Sequence, residues 1–187
     1  AFMNYFEKKG LKEMRKRVLE EVEGKVLELG PGTGVNLKFY SKEKIQSLTY
    51  IDLNFKSSLE EKARKKCPNI TLIKGDAQEL PFADKTFDSV VFTLVMCSVE
   101  DPFKGLSEVK RVLKDDGYIH FIEHVEPEQG RLKPLFNSIN PAWHSFSGGC
   151  NLNRDTEQTL EDAGFKLEIM DKKFSNIFIG GTGVKNR

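Results

Sequence analysis

From Asn4 to Val22 the apolar residues Phe6, Leu11, Met14, Val18, Leu19 and Val22 return at steps of roughly three and four, with Lys, Arg and Glu between them. That spacing predicts an amphipathic helix within residues 1–23, one stripe of which faces a core. Its basic residues Lys8, Lys9, Lys12, Arg15, Lys16 and Arg17 alternate with Glu7, Glu13 and Glu20, a mixture that favours a solvated face over peripheral membrane contact. Beyond the helix the period changes. Short runs rich in β-branched and aromatic residues, at 25–29, 47–53, 70–74, 87–94, 118–124, 165–174 and 176–185, alternate with polar, helix-compatible stretches that include 36–40, 57–66 and 102–113. Strands alternating with helices predict βαβ units, hence an α/β fold with a mostly parallel seven-stranded sheet and helices on both faces. The last two runs meet across a short polar link, Lys172 to Asn176, so they pair as an antiparallel hairpin at one edge.

The strand pattern lapses between His124 and Phe165, where three prolines and the Gly148–Gly149 pair fall. Residues 125–153 read as an irregular segment beyond the sheet's carboxyl edge, of the kind that forms lids or pocket walls. A helix closes it, with Asn153 or Asp155 as the N-cap and Gly164 in the left-handed position after the last turn. A chain of 187 residues is expected to form one domain, 1–187. Lys+Arg 29 against Asp+Glu 28 leaves no general field to attract nucleic acid or an anionic membrane. Cys67, Cys97 and Cys150 are widely spaced and odd in number, against both a disulfide framework and a zinc site, so no metal is expected. No apolar stretch of about 18 residues is present, which excludes an integral membrane segment in this sequence. Together these features lead to the expectation of a cytoplasmic protein.

Chemistry enters at "VLELGPGTGVNLKFY", residues 26–40, where an apolar strand runs through Gly30, Gly32 and Gly34 into a helix. Glycines at such a turn let a ligand approach the backbone, and a helix start offers unpaired N–H groups. A turn packed tightly on its own helix is the alternative; the buried-looking acid Glu28 just before it favours the ligand. The residues after Gly30 lack the Lys of a P-loop, and Val35 occupies the place where a dinucleotide fingerprint needs Gly or Ala, so nucleotide triphosphates and NAD are both demoted. "LTYIDLN" then ends a second strand on Asp52, suited to both hydroxyls of a ribose or to capping a turn. "IKGDAQELPFADKTFDSVVFTLV" places Asp76 at the third strand end, and "EVKRVLKDDGYIHFIEHV" gives a helix, a glycine turn and a fifth strand.

This ordered set resembles the class I S-adenosylmethionine-dependent methyltransferases, and the resemblance covers residues 24–185. It implies a Rossmann-like, doubly wound sheet and S-adenosylmethionine as cofactor. It further implies that Glu28, Gly30, Gly32 and Gly34 form the loop against the methionine and ribose part. Asp52 would take the ribose hydroxyls, Leu53 would lie on the adenine face, Asp76 with the amide of Ala77 would read the adenine edge, and Thr93 and Leu94 would line the methionine arm. "GVNLKFY", "VVFTLVMCSVED", "FIEHV", "NPAWHSFSGGCNLNRDT" and "NIFIGGTGVK" resemble a narrower group, the methyltransferase-like proteins of the methyltransferase type 11 family, whose animal members include alkyl thiol methyltransferases.

Methyl transfer from a sulfonium neutralises charge along a line of displacement, so alignment and a dry pocket do much of the work. A thiol acceptor ionises near neutral pH and needs little base, whereas a hydroxyl needs one. His124, beside Glu123 at the fifth strand end, and His144, after Trp143, are the candidate bases; each also has a structural reading, as Glu123 has as a turn cap. Cys97 reads as an apolar wall, Cys150 as packing under the lid, and Arg154 as structural. Trp143, Phe146 and Phe136 serve either the core or an apolar acceptor wall. The expectation is transfer to a small, apolar acceptor, with a thiol favoured. A quinol, phenol or lipid acceptor, and a non-catalytic sensor that binds the cofactor, are the alternatives.

Overall fold

The computed structural model describes residues 5–67, 69–127, 132–147 and 149–186. Seven strands, β1 (Gly24–Leu29), β2 (Ile45–Asp52), β3 (Ile70–Lys74), β4 (Phe87–Thr93), β5 (Leu113–His124), β6 (Phe165–Lys173) and β7 (Phe178–Lys185), form one sheet in the order β3-β2-β1-β4-β5-β7-β6. Neighbours among β1 to β5 are parallel, and β7 runs antiparallel to both β5 and β6. The expected edge hairpin is present, with its second strand inserted beside β5. Strand order reverses between β1 and β4, and open α/β sheets bind ligands beyond the carboxyl strand ends at such a point.

The helices are α1 (Lys12–Glu20), α2 (Ser57–Lys66), α3 (Pro102–Val112), α4 (Leu132–Ser147) and α5 (Thr156–Asp162). Side chains of α1 and α2 share a core layer with Val26, Tyr50 and Val91, while α3 and α5 share the other with Leu27, Val90 and Phe92. Strand β4 therefore needs apolar residues on both faces, which is why its sequence runs nearly unbroken rather than alternating. Asp101 accepts the N–H of Lys104 (3.1 Å) ahead of Pro102 to start α3, and Asp155 accepts that of Gln158 (3.0 Å) to start α5. Gly164, at φ +87°, follows α5 as expected. Among the described residues no helix is long and apolar enough to cross a membrane.

Three local expectations change. The N-terminal helix opens with a wide turn, Glu7–Leu11, before α1, and its apolar residues Leu11, Met14, Val18, Leu19 and Val22 all reach the core; but Arg15, expected on the solvated face, is 4% exposed. Its position explains this: Arg15 stands one turn from both Leu11 and Leu19, on the apolar stripe itself. The helix expected at 36–40 is a single 3₁₀ turn, Val35–Lys38, entered from Gly34 at φ +67°. Finally, the segment expected to be irregular holds the 16-residue helix α4. Pro134 falls in its first turn, where a missing N–H costs nothing, and Pro141 lies inside. Phe136, Ile139, Trp143 and Ser147 recur at three- and four-residue steps along one side, a period that the prolines obscured.

Candidate active site

The glycine loop is held by a buried polar network. Asn36, 1% exposed, donates through Nδ2 to Glu28 Oε1 (2.8 Å) and to Thr93 Oγ1 (3.1 Å), and its Oδ1 accepts from Arg15 Nη1 (2.8 Å). Tyr40 donates to the other Glu28 oxygen (2.7 Å), and Arg15 Nε reaches Glu7 at 3.1 Å. Burial pushes the Glu28 carboxyl above the usual carboxylate range, against the pull of these hydrogen bonds. Glu28 thus sits behind the loop and fixes its shape. Asn36, Tyr40 and Arg15 were not singled out from the sequence; the signal was an Asn directly behind the glycine turn and an Arg on an apolar stripe.

The three glycines divide the labour. A Cβ on Gly30 would stand 2.8 Å from Val95 Cγ2 and one on Gly34 2.5 Å from Leu59 Cδ1, whereas one on Gly32 (φ +55°) would meet none of the described residues within 4 Å. Gly30 donates to Ile51 O and Gly34 to Pro31 O. Tight packing therefore explains the first and third, and Gly32 is the one that presents open backbone to a ligand. Lys62 Nζ caps the loop's far side through the carbonyls of Thr33 (3.0 Å) and Gly34 (3.3 Å).

Along the same edge, Asp52 ends β2 and accepts the N–H of Asn54 (3.0 Å), and Asp76 follows β3 and accepts from the backbone (2.8 Å) and side chain of Gln78. Asp52 thus carries the turn role weighed above, and Asp76 makes a turn of the same kind; both are held at the strand tips. Leu53 is 58% exposed beside Asp52, an apolar side chain open to solvent where a flat ring would rest, and Ala77 is half-buried against the core. An exposed apolar residue beside Asp52, a second carboxylate after the neighbouring strand and an open glycine backbone after β1, all at the carboxyl ends of adjacent parallel strands, fit a nucleoside carrying an amino-acid tail.

Where this row ends, a second region begins. A cavity of about 440 Å³ is walled almost wholly by apolar surface, with Leu94, Cys97, His124, Phe136, Trp143 and Phe178 among its lining. Leu94 is the residue common to the row and the cavity. Its φ of +59° is unusual for a branched side chain. Glu123, fully buried, holds it there by accepting the following amides of Val95 (2.8 Å), Met96 (3.0 Å) and Cys97 (3.3 Å). Burial raises that carboxyl to about 7 despite these bonds, so Glu123 is a turn clamp. Arg154 is structural too, donating to the carbonyls of Met96 (2.5 Å) and Val99 (2.7 Å).

The two candidate bases separate. His124 is 6% exposed, stacked on Phe136 (centroids 6.0 Å apart, 13°) with its edge toward Phe178 (5.6 Å, 88°), and its buried Nδ1 has no hydrogen-bond partner among the described residues. Burial lowers the imidazole to about 4, so it is neutral at neutral pH. His144 lies on the exposed side of α4 and is not among the cavity's lining residues, because it is turned about 100° from Trp143, which is. Phe146, 89% exposed, likewise leaves the wall that Phe136 and Trp143 form. His120, inside β5, is buried and bonded to Val18 O (3.3 Å), as its mid-strand position predicts.

The family model described as a methyltransferase domain matches residues 27–121, from β1 through the glycine loop and both carboxylates to β5. The chain belongs to the methyltransferase-domain family. It is 36% identical over 163 residues to the thiol S-methyltransferase TMT1B of Rattus norvegicus, covering 83% of this chain and 66% of that protein. It is 35% identical over 133 residues to a demethylmenaquinone methyltransferase of Chlorobaculum parvum, covering 71% and 54%. The fold matches that of a SAM-dependent methyltransferase of Thermotoga maritima, described as a possible histamine N-methyltransferase, with a TM-score of 0.65, 23% identity and coverage of 99% and 97%. The chain thus spans just under two thirds of the length of the thiol methyltransferase relative. The cofactor of methyltransferase domains on this fold is S-adenosylmethionine, and the strand-tip row has the parts to hold it.

Proposed function

We propose that the chain is an S-adenosylmethionine-dependent methyltransferase acting on a small apolar thiol. Gly32, Asp52, Leu53, Asp76, Ala77 and Thr93 would hold the cofactor, with Gly30, Gly34 and Glu28 shaping the loop beneath it; Leu94 would bring its reactive end to the cavity. When bound, that cofactor supplies an electrophilic methyl group on a sulfonium. The chain's own part is to orient and to dry: the apolar walls exclude water from the line of attack, which strengthens the attraction between a thiolate and the sulfonium.

The observation that carries the acceptor is the state of His124. Burial between Phe136 and Phe178 lowers its imidazole to about 4, which makes it a poorer general base toward a phenolic hydroxyl of pKa about 10 than an ordinary histidine, and leaves it uncharged in the cavity wall. A thiol of pKa about 8.5 is a few per cent thiolate at neutral pH without help, and that thiolate is intrinsically a strong nucleophile. His124 then acts as a neutral wall and hydrogen-bond partner for the acceptor rather than as a strong base. The likeness to a thiol S-methyltransferase supports the same acceptor, and the demethylmenaquinone relative keeps a quinol as the second reading. A cytoplasmic setting, expected from three unpaired cysteines, belongs to the same proposal.

The test is a labelled-methyl assay over alkyl thiols and phenols of matched size, beside Asp52→Ala. Transfer to the thiols should exceed transfer to the phenols. Asp52→Ala should bind S-adenosylhomocysteine roughly 10- to 100-fold more weakly while its circular dichroism is unchanged, since one carboxylate accepts charge-assisted hydrogen bonds from ribose. Phenol transfer equal to thiol transfer would move the reading to a hydroxyl acceptor, and cofactor binding without turnover to a sensor.

A further inference from the structure

Two of the three cysteines, far apart in sequence, meet in the cavity wall. Cys97 follows β4 and is 1% exposed; Cys150 follows α4 and is only partly buried; both line the cavity, close enough for each thiol to perturb the other's ionisation. Their backbones are pinned together: Asn151 donates to the Cys97 carbonyl from its N–H (2.9 Å) and its Nδ2 (3.2 Å). Each side is anchored further. Glu123 holds the Cys97 amide, Ser147 Oγ accepts the Cys150 amide (3.2 Å), and Arg154 ties the same segment to Met96 and Val99. Backbones held this close bring two cysteines within disulfide reach without a large movement.

We propose that Cys97 and Cys150 form a reversible disulfide in the cavity wall, made by exchange with a low-molecular-weight disulfide that enters from solvent. Cys150, the more accessible, attacks one sulfur of the incoming disulfide; that S–S bond breaks, one small thiolate leaves, and a mixed disulfide remains on Cys150. Cys97 then attacks the Cys150 sulfur, its proton passes to the departing second thiolate, and the internal S–S bond forms. Two cysteine thiols are oxidised and one small disulfide is reduced to two thiols, so no further oxidant is needed. The division of roles matches the electrostatics: the neighbouring Cys97 thiol, aided by Trp143 and Arg154 and against burial, brings the Cys150 thiol down to about 7, and the Cys150 side chain together with burial raises Cys97. The bond would add a covalent staple between the segment after α4 and the turn after β4, where Asn151 and Arg154 already join them by hydrogen bonds. The exchange needs only access to the cavity and holds whatever the methyl acceptor is.

The experiment treats the chain with glutathione disulfide at about pH 8, where Cys150 is largely thiolate, then quenches with acid, alkylates free thiols and maps the peptides. A linked Cys97–Cys150 peptide, with Cys67 alkylated and the link reversed by dithiothreitol, is expected. Cys97→Ser should stop at one glutathione on Cys150. Closing the intervening loop should raise Tm by about 5–10 °C. Alkylation of all three cysteines in the wild type, or a glutathione adduct on Cys150 that never gives way to the internal link, would overturn the proposal; wild-type mapping decides this even if the variant fails to fold.

Discussion

Replacing His124 by Phe tests the buried imidazole through stability alone. The ring lies between Phe136 and Phe178 with Nδ1 sealed and, among the described residues, unpartnered, so a somewhat larger apolar ring can keep the stack while it removes a buried polar atom. At about pH 7.5 the variant should be more stable by about 1 kcal/mol, the scale of an unsatisfied group. The larger effect comes in acid. Between 6.5 and about 4 the unfolded imidazole takes up a proton that the folded one refuses, so wild-type stability falls as pH drops through that window. At about 1.4 kcal/mol per pH unit the loss approaches 3 kcal/mol. Phe at this position titrates nowhere. His120, also lowered to about 4 by burial, adds the same slope to both proteins. Glu123 works in the opposite sense: burial raises it to about 7, so between 4.5 and 7 the folded state holds the extra proton and stability falls as pH rises, again in both. The comparison therefore isolates position 124. Urea unfolding at about pH 7.5 and 4.5 reads it through the midpoints at constant m. An advantage for the Phe variant that grows by about 3 kcal/mol in acid is expected; an equal advantage at both pH values would mean that the folded histidine titrates normally and the environment described for it is wrong.

The glycine loop makes a paired prediction: Gly32→Ala, facing open space at φ +55°, should cost about 1 kcal/mol of stability yet weaken cofactor binding, whereas Gly34→Ala, 2.5 Å from Leu59, should mainly destabilise, by about 1–3 kcal/mol in thermal unfolding. If the two variants lost affinity and stability in the same proportion, the division of labour would fail. Arg15→Met leaves the buried Asn36 carbonyl unpaired and the partly exposed Glu7 carboxylate without its partner, and should cost about 1–3 kcal/mol in urea unfolding; no measurable cost would make the network ornamental.

Much of this was readable from the chain because period and punctuation agree. The third strand and second helix, at 70–74 and 57–66, fall where they were expected, between β-branched runs and a charged stretch with no competing signal. Helix α4 was hidden because Pro134 and Pro141 outweighed the spacing of Phe136, Ile139 and Trp143, and only tertiary contact shows that the first proline is harmless and the second tolerated. The site divides the same way. Asp52, Asp76 and the glycines are local features of strand ends, so sequence reaches them. Arg15, Asn36 and the Cys97–Cys150 contact depend on residues 21 and 53 positions apart meeting through the fold, and a composition of scattered charges and thiols gives no sign of it.

The network around Asn36 explains why a helix at the start of the chain belongs to a site at the strand tips. Both amide hydrogens of Asn36 and its oxygen are bonded, and both oxygens of Glu28 are taken, by Asn36 and Tyr40. A buried polar cluster filled in this way has no cheap alternative arrangement, since moving one member leaves another unpaired in a dry core. Its three anchors lie on different elements: Arg15 on α1, Glu28 on β1 and Thr93 on β4. The position of the glycine loop relative to Thr93 is therefore fixed by side-chain hydrogen bonds as well as by the β1–β4 ladder. Leu94 comes next along the chain and opens onto the apolar cavity, which Phe6, ahead of α1, also lines. The N-terminal segment thus reaches both regions, bracing the loop through Arg15 and Asn36 and adding Phe6 to the cavity wall, so a change in how α1 seats on the sheet would be felt at both.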